Sequence, residues 1–246
     1  MKAYVRGGFL AGMMCLSVSA VSATENDIYD WSGTYIGVDV GYGWSKADFS
    51  DTEYNGSGGV FPPVYWDVKS DRIMAAGQLG YNRQYGSTVV GLEGEIGYLN
   101  FDGARLQPGT DLLGDPYDAS GVFEGGWYLG LGARLGYALD RTLLYLKAGG
   151  VYSTADMRVV DRCVIAPCGV GTLNATGEVG WGYQLGAGAE HALDENWIVK
   201  AHYTYFDFGS TDINGIGVGG PFQGVPYHLS ADLVVQMVRM GINYKF

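Results

Sequence analysis

Residues 236–246, "QMVRMGINYKF", indicate the fold class because they alternate strictly up to the last position of the sequence. One register is apolar and aromatic: Val238, Met240, Ile242, Tyr244 and Phe246. The other register is small, polar or charged: Arg239, Gly241, Asn243 and Lys245. A period of two indicates a β-strand, because successive side chains of a strand point to opposite faces.

Seven further segments between residues 34 and 205 alternate in the same way. In each of them the apolar register contains no charged residue, and charge is confined to the opposite register. A soluble β-sandwich also alternates, but its outer faces carry Lys and Glu and its inner faces are rarely lined by glycine. An apolar face opposite a small, polar face is expected when lipid lies outside and a polar lumen lies inside.

The aromatic residues fall at two levels along these segments, as they do in the interfacial girdles of membrane proteins. One level contains Tyr42, Trp44, Tyr98, Trp127, Tyr152, Trp181, Tyr203 and Tyr205. The other contains Tyr81, Tyr85, Tyr137, Trp197, Tyr244 and Phe246. The alternative explanation is the ordinary enrichment of aromatic residues in strands.

Short and long connections alternate along the chain. The short ones contain "QYGST", "LDRT" and "ALDEN", and the long ones cover about 45–71, 100–126, 153–176 and 207–231. Bacterial barrels have short periplasmic turns and long surface loops. We therefore predict an all-β fold, in which residues 34–246 form one eight-stranded antiparallel up-and-down transmembrane β-barrel with four surface loops and periplasmic termini. The last strand must pair with the first, since an open sheet edge in lipid leaves backbone groups unsatisfied.

The N-terminal segment predicts export. Residues 1–23 have a basic start, an apolar stretch and small residues at a cleavage position, which is the pattern of a signal peptide. Residues 24–33 then form a short periplasmic segment. A lipoprotein anchored through Cys15 is disfavoured because Met14 precedes that cysteine. The predicted location is the bacterial outer membrane, reached through the periplasm.

Charge and cysteine content narrow the function classes. Loss of Lys2 and Arg6 with the signal peptide takes the net charge from −11 to −13, which disfavours a nucleic-acid partner. Cys163 and Cys168 remain in the mature chain, and in an oxidising compartment they predict a local disulfide. A metal site at this pair is the alternative, although no histidine lies nearby in sequence.

Several segments together resemble a known family. They include "WSGTYIGVDVGYGWS", "VVGLEGEIGY", "ARLGYALDRTLLYLKAGG" and "VRMGINYKF". The chain resembles the small outer-membrane proteins of alphaproteobacteria, which are grouped with OmpA-like, porin-family and opacity-type barrels. The resemblance implies a surface protein with structural, adhesive or immune-facing roles, and some relatives are described as porin-like or haemin-binding. It also implies that Tyr244 and Phe246 belong to a signal read by the barrel-assembly machinery.

Charged residues in the inward register form the main candidate site. They are Asp39, Glu93, Glu95, Arg134, Lys147, Glu178, Lys200 and Arg239. An eight-stranded barrel is only wide enough for side chains to fill. The first interpretation is a neutral plug in which opposite charges satisfy one another. The second is a gate, in which Glu93 or Glu95 exchanges partners among the bases to admit small ions.

Histidines and loop acids give weaker candidates. The three histidines are spread over three levels, so the sequence predicts neither a metal cluster nor a catalytic triad, and no cofactor. Tyr227 and His228 are candidate haemin ligands in the last loop. Acidic loop residues suggest divalent-cation bridging to anionic lipopolysaccharide.

We predict a non-catalytic outer-membrane protein with a structural and cell-surface interaction role. Envelope integrity, adhesion and immune-facing loops are the expected contributions. A narrow passive channel and surface haemin binding are the alternatives. The predicted partners are outer-membrane lipid, lipopolysaccharide, the assembly machinery and host or surface ligands.

Overall fold

The computed structural model describes residues 29–51, 64–109, 119–161, 172–219 and 223–246. The predicted signal peptide, Cys163 and Cys168 lie outside these ranges. The described residues form ten strands: β1 (Gly33–Asp51), β2 (Val64–Tyr85), β3 (Thr88–Tyr98), β4 (Gly103–Leu106), β5 (Ser120–Glu124), β6 (Trp127–Leu139), β7 (Thr142–Asp161), β8 (Leu173–Ala192), β9 (Trp197–Ile216) and β10 (Pro226–Lys245). Within those ranges the structure shows no helix that is long and apolar enough to cross a membrane.

Eight of these strands close into a ring. Each of β1, β2, β3, β6, β7, β8, β9 and β10 pairs antiparallel with its neighbour in that order. The ring is completed by β10, which pairs with β1 from Tyr35↔Lys245 to Ser50↔Ser230. The predicted eight-stranded antiparallel barrel is therefore confirmed, and its last strand closes on its first.

The barrel wall continues beyond the ends of β3 and β6. Strand β5 pairs with the outer part of β7, from Ser120↔Val160 to Glu124↔Asp156. Strand β4 then pairs with β5. The β4–β5 hairpin also contacts β2, where the Arg105 guanidinium lies 2.9 Å from a carboxylate oxygen of Asp67. The wall on the long-loop side is therefore built from strands rather than from irregular loops.

Apolar residues change faces along a single strand. In the lower part of β1, Ile36 and Val38 point outward and are 52% and 61% exposed. In its upper part, Ala47 and Phe49 point inward and are at most 1% exposed. Outward apolar side chains suit contact with hydrocarbon, whereas inward ones suit a wall surrounded by water. The change after Trp44 therefore marks the outer boundary of the lipid zone.

The predicted bounds of the long loops were wrong for this reason. Much of 45–71, 100–126, 153–176 and 207–231 is paired strand, because β1, β2 and β7 to β10 extend into these ranges and β4 and β5 lie within one of them. The prediction required apolar residues on the lipid face. The extensions carry their apolar residues on the inner face, as strands do in water.

Two apolar clusters fill the two ends of the lumen. The upper cluster includes Phe49, Trp66, Phe101, Phe123, Phe206, Leu233 and Met237. Within it the Phe49 and Trp66 rings stack with centroids 5.3 Å apart. The lower cluster contains Trp31, Val89, Ala138, Leu143, Tyr145, Ala192 and Ile198. The middle of the lumen therefore lies between two layers that exclude water.

Residues 29–32 cross the periplasmic mouth. The backbone N–H of Trp31 donates to Gln84 Oε1 over 2.7 Å, beside the β2–β3 turn. The backbone N–H of Tyr29 donates to the carbonyl of Asp140 over 3.2 Å, at the β6–β7 turn. The Tyr29 hydroxyl donates to the carbonyl of Glu195 over 2.8 Å, at the β8–β9 turn. This short segment therefore joins all three periplasmic turns and places Trp31 in the lower cluster.

A pair of arginine substitutions on β1 tests where the lipid zone ends. We expect Val38→Arg to lower the free energy of unfolding by about 2–4 kcal/mol, because it places a charge in the hydrocarbon layer. We expect Ser50→Arg, on the outward face of the upper wall, to change it by less than about 0.5 kcal/mol. Equilibrium urea unfolding in phospholipid vesicles measures both values. Equal effects of the two substitutions would contradict the assigned boundary.

Candidate functional site: the lumenal charge network

Eight charged side chains form one layer between the two apolar clusters, and we call this layer the lumenal network. Its members are Asp39, Glu93, Glu95, Glu190, Arg134, Lys147, Lys200 and Arg239, each between 1% and 5% exposed. Four carboxylates face four cationic groups, so their formal charges cancel. Buried charges require this pairing, because an isolated ion loses its hydration without compensation.

Arg134 is the centre of the lower half of the network. Its guanidinium lies 2.6 Å from Glu190 Oε1 and 3.3 Å from Glu93 Oε2. It also donates to the Tyr35 hydroxyl, which in turn donates to Glu93 Oε2 over 2.7 Å. The guanidinium carbon lies 3.9 Å from the centroid of the Tyr145 ring. Two carboxylates and an aromatic face therefore hold Arg134 in place.

Lys147 connects the two halves of the network. Its ammonium nitrogen lies 3.0 Å from Glu93 Oε1 and 2.8 Å from Glu95 Oε2. Lys147 and Arg134 are directly opposite each other in the β6–β7 pair, where like charges destabilise a sheet. Glu93 contacts both cations and so offsets that repulsion.

Arg239 is the centre of the upper half. Its guanidinium lies 3.2 Å from Asp39 Oδ1 and 3.2 Å from Glu95 Oε2. It also donates to the Tyr128 hydroxyl over 2.9 Å. Lys200 completes this half, with its ammonium nitrogen 3.1 Å from Asp39 Oδ2. Lys147 contacts Glu93 in the lower half and Glu95 in the upper half, so the network is continuous across the lumen.

Inward glycines make the room that these long side chains occupy. A Cβ at Gly132 would lie 3.1 Å from Lys147 Cγ, and one at Gly130 would lie 3.0 Å from Glu95 Cγ. Both distances are tight for carbon–carbon contacts. The glycine-rich inner register is therefore the space in which the charged side chains pack.

The structure places seven of the eight predicted lumen residues in this network, and Glu178 is the exception. Glu178 is exposed on the outer surface, where its Oε1 accepts a hydrogen bond from the Tyr152 hydroxyl over 2.7 Å. The face of β8 changes at Gly180, whose φ is +73°. On the periplasmic side of Gly180, where residue numbers are higher, even-numbered residues point inward. On the outer side of Gly180 the inward residue is Val179, which is 5% exposed. The prediction that Glu178 lines the lumen was therefore wrong.

Glu190 is the network residue that the sequence analysis missed. It shares the inward register of Gln184 and lies opposite Lys200 in the β8–β9 pair. It lies two residues before the end of β8, so it falls at the end of the alternating segment. Continuing that register by one more step would have found it.

Tyr227 and His228 do not converge on one ligand position. They are neighbours on β10, so their side chains point to opposite faces. Tyr227 packs against the upper cluster, whereas His228 is exposed and its Nδ1 lies 2.5 Å from Asn214 Oδ1. The described residues contain no group of three or more His, Cys, Asp or Glu that could hold a metal ion.

Tyr244 and Phe246, the predicted assembly signal, lie at the periplasmic rim. Their ring centroids are 5.2 Å apart, and Tyr244 also lies edge-to-face against Trp197 at 5.0 Å. The backbone N–H of Phe246 donates to the carbonyl of Thr34 over 3.0 Å. These contacts join the end of the chain to the start of β1.

The family model for the outer membrane protein beta-barrel domain matches residues 11–246. The chain belongs to this family. The predicted resemblance and the predicted outer-membrane location are therefore confirmed. An outer-membrane β-barrel also accounts for the apolar outer surface between the aromatic girdles and for the buried network within it.

Relatives of this family member are found in alphaproteobacteria. The 31 kDa outer-membrane immunogenic protein of Brucella melitensis biotype 1 is 25% identical over 99% of this chain and 95% of its own length. The 25 kDa outer-membrane immunogenic protein of Brucella abortus biovar 1 is 28% identical over 89% of this chain and 80% of its own. The 22 kDa outer membrane protein of Rhizobium leguminosarum bv. viciae is 29% identical over 88% and 78%.

Among solved structures, the outer membrane protease OmpT of Escherichia coli superimposes with a TM-score of 0.50. The two chains are 9% identical, and the match covers 92% of this chain and 99% of OmpT. At this identity the similarity shows the barrel fold alone.

Matched Glu→Gln substitutions test the composition of the network. We expect Glu190→Gln to lower the free energy of unfolding by about 3 kcal/mol, because it leaves the buried Arg134 with one carboxylate fewer. We expect Glu178→Gln to change it by less than about 0.5 kcal/mol, because that side chain is exposed. Urea unfolding followed by tryptophan fluorescence measures both. A larger loss for Glu178→Gln than for Glu190→Gln would contradict the assignment.

Proposed function

We propose that this outer-membrane barrel is a non-catalytic structural protein whose extended upper wall presents surface loops for cell-surface interaction. The observation that carries the proposal is the filled lumen. A neutral charge network lies between two apolar clusters, so the interior serves to stabilise the barrel. The outer surface and the loops are then the parts of the protein that contact other molecules.

The interior packing argues against the channel alternative. Ions passing along the lumen would have to separate buried pairs such as Lys147–Glu95, at 2.8 Å. They would also have to cross the upper cluster, where Phe49 and Phe206 are at most 1% exposed. Removing one partner of a buried pair destabilises a protein by about 3–5 kcal/mol. These contacts favour the neutral-plug interpretation over the gate.

The same packing argues against catalysis in the lumen. The charged groups of the network contact one another and are buried, so they do not face a cleft that a substrate could enter. The similarity to OmpT concerns the fold and carries no proteolytic role to this chain. Haemin binding is also disfavoured, since Tyr227 and His228 point to opposite faces of β10.

The upper wall supports the surface role. Strands β1, β2 and β7 to β10 continue past the outer aromatic girdle and carry the loops on a rigid, hydrogen-bonded cylinder. Two Brucella relatives are named as immunogenic proteins, which is consistent with exposure to a host. We infer that loop contacts provide adhesion or immune recognition, while the barrel contributes to envelope integrity.

We infer that lipopolysaccharide is the lipid partner at the outer rim. Carboxylates there accept hydrogen bonds from girdle tyrosines: Asp207 Oδ2 accepts from Tyr183 over 2.9 Å and from Tyr205 over 3.1 Å. Partial burial raises the pKa of Asp207, but the hydrogen bonds from the Gly209 backbone N–H and from the two tyrosine hydroxyls together lower it below its usual value. A charged carboxylate at this level suits divalent-cation bridging to lipid phosphates.

Planar bilayer recording tests the filled lumen. We expect the refolded barrel to give no conductance steps above the lipid baseline, because the network and both clusters occupy the lumen. A Glu93→Gln, Glu95→Gln variant serves as the control for gating. Steps in the wild type that disappear in this variant would support the channel instead.

Loop replacement tests the surface role. We expect replacement of residues 52–63 by a Gly-Ser linker to leave barrel folding intact, because the paired strands end at Asp51 and begin again at Val64. Electrophoresis of unheated and heated samples checks folding. We expect detergent resistance of a complemented deletion strain to be retained and binding of surface antibodies or host cells to fall. Loss of detergent resistance with binding retained would contradict the division between barrel and loops.

A further inference from the structure

The lipid-facing surface of the described strands carries an open apolar groove, with a volume of about 960 Å³. It crosses β1, β2, β3 and β6 and is bordered by Ile36, Val38, Leu79, Leu92, Ile96 and Leu131. Gly77 and Gly94 form part of its floor. They are diagonal neighbours in the β2–β3 pair, because Gly77 lies opposite Ile96 and Gly94 lies opposite Leu79.

Packing within the barrel does not require these two glycines. A Cβ at Gly77 would have its nearest neighbour 4.0 Å away, and one at Gly94 would have its nearest at 3.8 Å. An inward glycine such as Gly97 differs, because a Cβ there would lie 2.6 Å from the Tyr128 ring. Glycine in a strand interior weakens the strand. The fold therefore leaves this depression unexplained, and a larger apolar residue would fit at either position.

An unpaired cation lies just below the lower end of the groove, at the periplasmic rim. Thr34, Tyr81, Trp197 and Tyr244 line its lower end. Arg83 follows Tyr81 on the same outward face of β2 and is exposed. Its guanidinium carbon lies 5.8 Å from the Tyr85 ring centroid, and no carboxylate in the described ranges pairs with it.

The distance between the glycines and Arg83 matches one leaflet of a bilayer. Six residues of strand from Gly77 to Arg83 span about 20 Å. At a strand tilt of roughly 40°, this is about 15 Å along the membrane normal. The hydrocarbon core of a bilayer is about 30 Å thick, so Arg83 lies at the periplasmic edge of the hydrocarbon when Gly77 lies near the midplane. The long side chain of Arg83 can extend from there to the lipid phosphates.

We propose that this groove is a binding site for one phospholipid of the periplasmic leaflet. An acyl chain lies between the side walls over Gly77 and Gly94, and the lipid phosphate pairs with Arg83. The apolar lining suits the acyl chain, the aromatic rim suits the interfacial part of the lipid, and the unpaired guanidinium suits the phosphate. These three parts follow one another in the same order along the protein surface and along a phospholipid.

Native mass spectrometry of the refolded full chain tests the site, with palmitoyl-oleoyl phosphatidylglycerol as the probe. We expect the wild type to retain one lipid after detergent removal. We expect Gly77→Leu, Gly94→Leu together to reduce retention by roughly tenfold, because two leucine side chains fill the groove. We expect Arg83→Gln to reduce it by roughly fivefold through loss of the charged contact. Arg83→Gln should also remove the preference for this lipid over diacylglycerol, which lacks the phosphate.

Gly150→Leu is the matched control. Gly150 also faces outward with its nearest Cβ neighbour 4.0 Å away, but it lies outside the groove. Electrophoretic mobility before and after heating confirms that each variant is folded. Equal retention in all variants, or equal loss in Gly150→Leu, would overturn the proposal. A dimer that the paired leucine substitutions abolish, without any lipid adduct, would assign the groove to a second copy and overturn it as well.

Discussion

The main-chain pairing of β1 with β10 is the constraint on which the rest of the structure depends. It joins the start of the barrel to its end, so each membrane-spanning strand has two neighbours. Hydrocarbon offers no hydrogen-bond partners, and an open edge at this depth would leave several costly unpaired groups. Closure also fixes the lumen at a width that side chains fill. The buried network and the two clusters are consequences of that narrow ring.

The second organising feature is that a single strand lies partly in lipid and partly in water. On β1, apolar residues point outward through the lipid zone and inward above it, without any change in backbone pairing. Strand β8 achieves the same change with a reversal of face at the positive-φ glycine Gly180. A single cylinder can therefore stand in the membrane and project into water. Its upper part behaves as a soluble barrel with an apolar core.

Much of this architecture could be predicted from the sequence, because burial in lipid imposes a strict period of two. The alternation around Val38, Leu131 and Val199 identified both the strands and the inward charges. The reversal at Gly180 could not be predicted, since β8 contains several glycines and only backbone geometry distinguishes the one at which the face changes. The strand extensions were missed because their apolar register is inverted. The ion pairs of Arg134 and Arg239 depend on contacts between distant strands, which no local pattern reports.

The placement of Trp31 imposes an order on maturation. Its pocket is assembled from residues of β3, β6, β7, β8 and β9, so it does not exist until nearly the whole chain has found its position. Trp31 precedes every one of these strands in sequence, yet its burial has to come late. Residues 29–32 therefore close the periplasmic mouth only after the strands of the barrel have paired. A barrel stalled with one hairpin missing would leave that tryptophan exposed to the periplasm.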